Sequence, residues 1–314
     1  MRNKTLKRIL IGWVVLIALV ALMGEISVAA SDAGRTAADF LQIGPGARAA
    51  GLGNAFTAVS EGALASYWNP AGLSVLDHGE VLFSHFAWYQ DIALEYGSFA
   101  YPLHDGVVAG VSFTYLNYGQ IDGYDAGGLP TGDLTAYDWA AALSLGVDVR
   151  DNLSLGVSAK YVRQQLDSYD AAAPAVDLGV MYRLDRVNLA LAVVNVGGKM
   201  NFEAQPEKLP SAARVGVSVV PFSADLTGAF EIVKEFYGGV TIRQGVEAGF
   251  DERYYLRTGY DHRTGEDGRS FMSGLSFGAG LRFDFGQFDY AYSPRDNATS
   301  EDLHRFSVTF KVTR

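Results

Sequence analysis

Residues 153–161 read Leu-Ser-Leu-Gly-Val-Ser-Ala-Lys-Tyr, and this stretch decides the fold. Apolar residues occupy every second position, while small or polar residues occupy the positions between them. Successive side chains of a β-strand point to opposite faces, so the stretch predicts a strand with one apolar face and one polar face. The same period of two returns at residues 212–219 and 305–312.

The alternation recurs in about 14 segments beyond residue 78, most of them about 9–14 residues long, as a tilted strand needs to cross a bilayer. Strands of soluble proteins are commonly nearer ~5–6 residues. We predict strands at 79–89, 91–102, 106–118, 135–148, 153–166, 174–184, 187–197, 211–220, 222–231, 236–249, 252–261, 270–285, 287–294 and 303–313.

The predicted connections alternate between tight turns and longer links, at 119–134, 167–173, 198–210, 262–269 and 295–302. Outer-membrane barrels sort their connections in this way, with short turns on the periplasmic side and long loops outside. Backbone groups in lipid have no water partner, and a sheet satisfies them by closing on itself. The sequence therefore predicts an all-β fold, a transmembrane antiparallel β-barrel of about 14 strands.

The first thirty residues have the three-part layout of a secretory signal peptide. Basic residues lie at positions 2–8, an apolar run covers 9–23, and small residues follow at 27–31. The alternative is one membrane-anchoring helix, for which a run of about 15 apolar residues is short. We therefore expect a signal peptide at 1–30, a hatch or plug segment at 31–76 and an outer-membrane barrel at 77–314, located in the cell outer membrane.

Composition argues against several classes of function. The net charge of −10 disfavours nucleic acid as a partner, because phosphates need basic patches. The chain has no Cys, and its five His residues show no metal-ligand spacing. The glycine-rich residues 44–53 lack the Lys of a phosphate-binding loop and do not follow a strand. We expect no metal, no cofactor, no catalytic residues and no enzymatic activity.

Two sets of residues are expected to face the lumen of the barrel. Glycines within strands suit places where a plug approaches the wall or where the wall bends. These glycines are Gly110, Gly146, Gly156, Gly179, Gly216, Gly278 and Gly280. Charged side chains are costly on a lipid-facing wall, so we expect an ion-pair network inside the lumen. Its predicted members are Lys160, Arg163, Arg214, Arg282, Arg305, Lys311, Asp138, Asp177 and Asp284.

The segment before the barrel carries a resemblance to a known family. Residues 40–49 (Phe-Leu-Gln-Ile-Gly-Pro-Gly-Ala-Arg-Ala), 51–56 (Gly-Leu-Gly-Asn-Ala-Phe) and 67–73 (Tyr-Trp-Asn-Pro-Ala-Gly-Leu) resemble the PorV/PorQ outer-membrane proteins, which are related to FadL-type transporters of hydrophobic molecules. The resemblance implies a 14-stranded barrel with an N-terminal hatch in its lumen. We also expect one short helix at 61–67, ended by Asn69-Pro70 because Pro cannot continue a helix.

Two functions are considered at this stage, and the resemblance to the PorV/PorQ proteins favours the first of them, with the second as the alternative. A PorV/PorQ-type barrel would bind secreted cargo or secretion-complex proteins through the 119–134 and 198–210 loops, as an adaptor in secretion or surface attachment of a type IX kind. A FadL-like barrel would instead carry a hydrophobic ligand. The outer-membrane lipid is a partner in both cases. The candidate hatch motif and ligand contacts are Phe56, Tyr67, Trp68, Asn69 and Pro70, of which the three aromatic residues suit hatch packing equally well.

Overall fold

The computed structural model describes residues 36–88, 91–202, 205–221, 225–264, 271–295 and 302–312. The predicted signal peptide lies outside these residues. The strands are β1 Gly79–Ala87, β2 Ala93–His104, β3 Val107–Asn117, β4 Ile121–Tyr124, β5 Pro130–Leu134, β6 Ala136–Arg150, β7 Leu153–Leu166, β8 Tyr169–Arg183, β9 Val187–Gly197, β10 Lys199–Phe202, β11 Gln205–Lys208, β12 Ala212–Val219, β13 Leu226–Glu235, β14 Val240–Phe250, β15 Tyr254–Arg263, β16 Leu275–Phe283, β17 Gly286–Ser293 and β18 Leu303–Val312.

Fourteen of these strands form one closed antiparallel ring, in the order β1-β18-β17-β16-β15-β14-β13-β12-β9-β8-β7-β6-β3-β2. The first and last strands of the chain close it, with a register that runs from Gly79 opposite Val312 to Ala87 opposite His304. Closure leaves the ring without a free edge, so its backbone donors and acceptors are satisfied within the sheet. The predicted fold class, an all-β antiparallel barrel of about fourteen strands, is confirmed.

The outer face of the ring is apolar, as a lipid-facing surface must be. Large side chains such as Phe83, Leu143 and Leu256 point outward and are 56%, 68% and 58% exposed. Their strand neighbours point into the lumen and are largely buried, which produces the alternating exposure along each strand. In the part of the chain that the structure describes, no helix has both the length and the apolar character needed to cross a bilayer.

The two ends of the barrel differ in their connections. One end, the short-turn end, carries tight turns such as the one between β2 and β3, where Gly106 has a φ of +69°. The other, the long-loop end, carries two hairpins outside the ring, β4–β5 and β10–β11. The prediction of a long link at 167–173 was wrong. Strand β8 begins at Tyr169, which pairs with Leu166 of β7, so a short turn at 167–168 joins the two strands in place of the predicted link.

Residues 36–76, the hatch, fill the lumen from the long-loop end to the short-turn end. Thr36 bridges to Lys208 at the long-loop end, and the hatch leads into β1 at the short-turn end. It contains only short helical turns, at Asp39–Gln42, Ala47–Gly51, Ala65–Trp68 and Pro70–Val75. The helix expected at 61–67 begins later, at Ala65, because Gly62 has a positive φ that the helix cannot accommodate. It ends at Trp68, immediately before Asn69 and Pro70.

Candidate functional site

The Asn-Pro-Ala sequence at 69–71 forms a rigid turn at the centre of the hatch. The side-chain oxygen of Asn69 accepts a hydrogen bond from the backbone N–H of Ala71 at 3.2 Å and thereby caps the turn that follows. Its side-chain NH₂ donates to the carbonyls of Thr57 at 3.2 Å and Val180 at 3.3 Å. Asn69 therefore ties two parts of the hatch to each other and to strand β8 of the wall.

Three neighbouring glycines of the wall face this turn, and we call them the first glycine row. Gly146, Gly156 and Gly179 lie side by side in β6, β7 and β8, and each is directly in register with the next. A Cβ added at Gly156 would lie 2.1 Å from the N atom of Ala71, and one at Gly179 would lie 2.1 Å from the Asn69 side-chain oxygen. Only glycine therefore allows the hatch backbone to approach the wall this closely.

A second glycine row receives the earlier part of the hatch. Gly245 of β14 is in register with Gly259 of β15, and an added Cβ at either would lie within 2.4 Å of the backbone of Leu52 or Gly53. The in-strand glycines predicted to meet a plug do so at positions 110, 146, 156, 179, 216 and 278. Gly280 differs, because its neighbours are the side chains of Arg257 and Asp289 rather than the hatch.

The three aromatic candidates pack against one another in the centre of the hatch. Trp68 contacts Phe56 and Tyr67 edge to face, with ring centroids 5.8 and 5.2 Å apart. The indole N–H of Trp68 donates to the Pro45 carbonyl, and the Tyr67 hydroxyl donates to the Leu41 carbonyl. Burial raises the pKa of Tyr67 above its ordinary value, so its hydroxyl stays neutral. All three side chains are buried within the hatch.

Ion pairs fasten the hatch to one side of the wall. Arg48 of the hatch pairs with Glu247 of β14 at 2.9 Å and with Glu61 at 2.6 Å. Glu247 also pairs with Arg257 at 2.6 Å, and Arg257 with Asp289 at 2.7 Å. The chain of charges neutralises each buried group, which offsets the desolvation cost of placing it in the lumen.

Further charged side chains pair elsewhere in the lumen. Arg243 pairs with Glu231 and Asp261, each at 3.0 Å, and Glu231 accepts a hydrogen bond from the Thr57 backbone. Lys160 and Asp177, two members of the predicted network, form an ion pair at 2.5 Å. The predicted lumenal position of Arg163 was wrong. It lies between the inward-facing Val162 and Gln164, points outward and pairs with the exposed Asp170.

An apolar cluster occupies the lumen towards the long-loop end. Phe40 and Leu41 of the hatch pack there against Phe86, Leu94 and Leu116 of the wall. We call these and the side chains packed with them the upper apolar cluster; its other buried members are Ala37, Ala38, Ala140, Val162, Ala171, Ala173, Ala175, Met200, Leu209 and Leu303. At the short-turn end, in contrast, a polar cavity of about 260 Å³ lies below the hatch, lined by Arg48, Glu61, His78 and Glu80 among others.

The candidate residues from the sequence fall in one place. Phe56, Tyr67, Trp68, Asn69 and Pro70 lie together at the centre of the hatch. Sequence reasoning did not find the wall side chains that hold the hatch through Arg48, such as Glu247 and its partner Arg257, because pairing across the lumen depends on register. Among the described residues, no group of three or more His, Asp or Glu side chains is placed to hold a metal ion.

The comparisons with known proteins identify the fold. Residues 17–132 match the model of an uncharacterised protein family, UPF0164. A search of curated protein sequences finds no significant match.

The crystal structure of the Pseudomonas putida toluene transporter TodX is similar, with a TM-score of 0.61 and 13% identity over 83% of this chain and 97% of that one. The Ralstonia pickettii toluene transporter TbuX gives a TM-score of 0.59 at 13% identity, over 85% and 98% of the two chains. A Pseudomonas aeruginosa FadL homologue gives 0.52 at 14% identity, over 82% and 95%. The chain therefore has the hatch-filled, fourteen-stranded barrel fold of FadL-type outer-membrane proteins.

Proposed function

We propose that the protein is a non-enzymatic outer-membrane barrel that carries hydrophobic small molecules across the outer membrane. The observation that carries this proposal is the upper apolar cluster, which places buried apolar side chains of the hatch and the wall at the long-loop end of the lumen. Binding sites for hydrophobic ligands are concave and mostly apolar, with few polar groups. The similar structures named above as toluene transporters support the same class of cargo.

The proposed location and orientation follow from the chain itself. The predicted signal peptide exports the protein, and the apolar outer face of the ring requires lipid. Both ends of the barrel-forming chain lie at the short-turn end, which is the periplasmic side in outer-membrane barrels. Cargo would then enter at the long-loop end and leave through the polar cavity below the hatch.

In this proposal Phe56, Tyr67, Trp68, Asn69 and Pro70 act as the hatch centre past which cargo moves. Trp68 is 1% exposed and Tyr67 5% exposed, so cargo contacts them only after the hatch shifts. Ion pairs and close backbone contacts hold the hatch to the wall, and the hatch does not add a strand to the sheet of the ring. Movement of the hatch would therefore break these ion pairs and close contacts, while the hydrogen bonds that close the ring stay intact.

Uptake by intact cells tests the proposal. Cells that express the protein, and matched cells that carry an empty vector, would be given radiolabelled toluene and radiolabelled decanoate. We expect saturable uptake of at least one compound well above the vector control. If expressing cells and vector cells take up the same amount of toluene and the same amount of decanoate, while the barrel is folded in the outer membrane, the proposed transport of hydrophobic molecules is contradicted.

A second candidate is the adaptor role of the PorV/PorQ type. It is favoured by the β4–β5 hairpin at the long-loop end, where Tyr124 and Leu129 are 62% and 66% exposed. Exposed apolar side chains on a projecting hairpin suit contact with another protein. Replacing residues 121–134 with a Gly-Ser linker would abolish co-purification of a secreted protein while uptake is retained. If the secreted protein still co-purifies with the variant, the β4–β5 hairpin is not its binding site, and the hairpin no longer supports the adaptor role.

A further inference from the structure

Gly97 differs from the members of the two glycine rows because it faces the lipid and not the hatch. It lies on β2 between Phe83 of β1 and Phe113 of β3, in register with both. Phe83 and Phe113 point outward and are 56% and 47% exposed. Among the described residues, a Cβ added at Gly97 would meet side-chain atoms of Phe83, at 3.6 and 3.7 Å. Close approach of the hatch therefore does not explain this glycine.

The missing side chain opens a groove on the outer surface of the wall, which we call the Gly97 groove. Phe99 and Val111 lie on its short-turn side, and Phe306 and Val308 of β18 line one flank. The groove has a volume of about 730 Å³, within the ~300–1,000 Å³ of ligand-binding sites. Its lining is almost entirely apolar, so it suits the alkyl chain of a lipid.

A charged pair lies at the long-loop side of the groove. His85 of β1 and Glu95 of β2 are opposite each other in the register, at outward positions, and both line the groove. The Nδ1 atom of His85 is 2.6 Å from Oε1 of Glu95. Strand β1 ends at Ala87 and β2 begins at Ala93, so the pair lies two residues from the ends of both strands. Charges on a lipid-facing wall cost least near the interface, so this position fits the level of lipid head groups.

The pair can bind a head group that carries both charges. Its internal contact uses one ring nitrogen and one carboxylate oxygen, and the side chains of His85 and Glu95 remain 47% and 53% exposed. The charged imidazole ring has a second N–H, which is suited to a phosphate oxygen. The carboxylate has a second oxygen, which is suited to an ammonium group. A head group with a phosphate and no cation would instead be repelled by Glu95.

We propose that the Gly97 groove binds one zwitterionic phospholipid of the outer membrane, with an ethanolamine head group. One acyl chain lies in the groove in place of the side chain that Gly97 lacks. The ammonium group donates to Glu95, and the phosphate accepts from His85. The site lies outside the lumen and does not depend on the proposed transport.

Native mass spectrometry of the delipidated, detergent-purified full chain tests the site. The probes are dioleoyl phosphatidylethanolamine, phosphatidylcholine and phosphatidylglycerol, which share their acyl chains. Phosphatidylcholine keeps the cation but has no N–H on it, and phosphatidylglycerol has no cation. Gly97→Leu fills the groove, and Glu95→Gln removes the charge that accepts from the ammonium group. Retention of the folded, heat-modifiable band on gels confirms that each variant folds, and Gly97→Val replaces Gly97→Leu if the latter does not.

Gly228→Leu is the matched control. Gly228 of β13 also faces outward, in register with the exposed Val219 and Val246. A Cβ there would lie 3.9 Å from the Val219 carbonyl oxygen, so a side chain has room. Strand β13 is seven strands from β2 in the fourteen-stranded ring, on the opposite side of the barrel. The control therefore adds the same side chain to the lipid-facing wall without filling the Gly97 groove.

We expect one phosphatidylethanolamine per barrel, bound about 10-fold more tightly than either other lipid, as gain of a charged hydrogen bond produces. Gly97→Leu should abolish this one-to-one complex. Glu95→Gln should weaken it about 10-fold, to the level of phosphatidylcholine. Gly228→Leu should bind as the unaltered chain does.

Equal binding of the three lipids, unchanged in Gly97→Leu, would overturn the site, because it describes lipid that surrounds the barrel without a specific position. Tighter binding of phosphatidylglycerol than of phosphatidylethanolamine would overturn it as well. A dimer of the barrel that Gly97→Leu abolishes would assign the groove to a second copy of the chain and would also overturn the proposal. The uptake experiment on intact cells decides the proposed transport separately from all of these results.

Discussion

At Gly156 the hatch and the wall come closer than any side chain would allow. A Cβ there would lie 2.1 Å from the Ala71 nitrogen and 2.2 Å from the carbonyl carbon of Pro70. The sequence shows the glycine and its place in a strand, and from these a close approach of a plug to the wall is predictable. It does not show which hatch residue approaches, because that depends on how the hatch folds inside the lumen.

Gly156→Ala should destabilise the protein, whereas Gly97→Ala should not. The added methyl at position 156 clashes with hatch backbone, and overpacking of this kind costs about 1–3 kcal/mol. At Gly97, also within a strand, the nearest atom is a side-chain carbon of Phe83 at 3.6 Å, an ordinary contact. Urea unfolding of the barrel in lipid vesicles measures both free energies. Equal stability of the two variants would show that the hatch does not press on this wall.

The aromatic candidates show which properties of single residues the sequence alone did not predict. Tyr67 and Trp68 suited either a ligand pocket or hatch packing, and in the structure both are buried against each other and against Phe56. Their partners in the chain were not predictable from spacing. The guanidinium group that lies over the Trp68 ring belongs to Arg214, which is 146 residues away along the chain.

Strands were the most predictable elements of the chain. The predicted strands at 153–166 and 187–197 coincide with β7 and β9, because an apolar outer face imposes a period of two. Prediction failed where neither face is constrained by lipid. The link expected at 167–173 is instead the start of β8, which begins at Tyr169 and pairs with the end of β7. The hairpins β4–β5 and β10–β11 were treated only as loops for the same reason.

Buried ion pairs between strands should contribute more to the free energy of unfolding than exposed ones. In Arg257→Met, the carboxylates of Glu247 and Asp289 would lose a shared partner whose side chain is fully buried. Removing one member of a buried pair costs about 3–5 kcal/mol. The control, Arg163→Met, removes an exposed pair with Asp170 and should cost about 0–1 kcal/mol.

Thermal loss of the folded gel band and urea unfolding measure both of these variants. If both substitutions lower the free energy of unfolding by a similarly small amount, the ion pairs of Arg48, Glu247, Arg257 and Asp289 do not stabilise the protein. A larger effect of Arg163→Met would place that side chain inside the ring, contrary to its outward position between Val162 and Gln164.

For the whole molecule, one claim supports the rest: residues 36–76 lie inside a closed ring and press against its glycines. Closure was predictable from the sequence, because an even number of membrane-length strands has few other ways to satisfy its backbone in lipid. The path of the hatch was not, because its glycine- and alanine-rich sequence has no strand or long helix period. Transport, in the form proposed, requires this arrangement.

A disulfide between hatch and wall tests that claim most directly, because the natural chain contains no Cys. A Cβ at Gly216 of β12 would lie 3.2 Å from the Cβ of Ala58 in the hatch, close to the ~3.5–4.5 Å of a disulfide. After mild oxidation of the folded barrel, Ala58→Cys/Gly216→Cys should lose both free thiols, as measured by maleimide labelling and mass. Ala58→Cys/Gly97→Cys, with Gly97 near the outward-facing Phe83, should keep them. Free thiols in the first pair, or equal cross-linking of the second, would contradict a hatch packed inside the barrel.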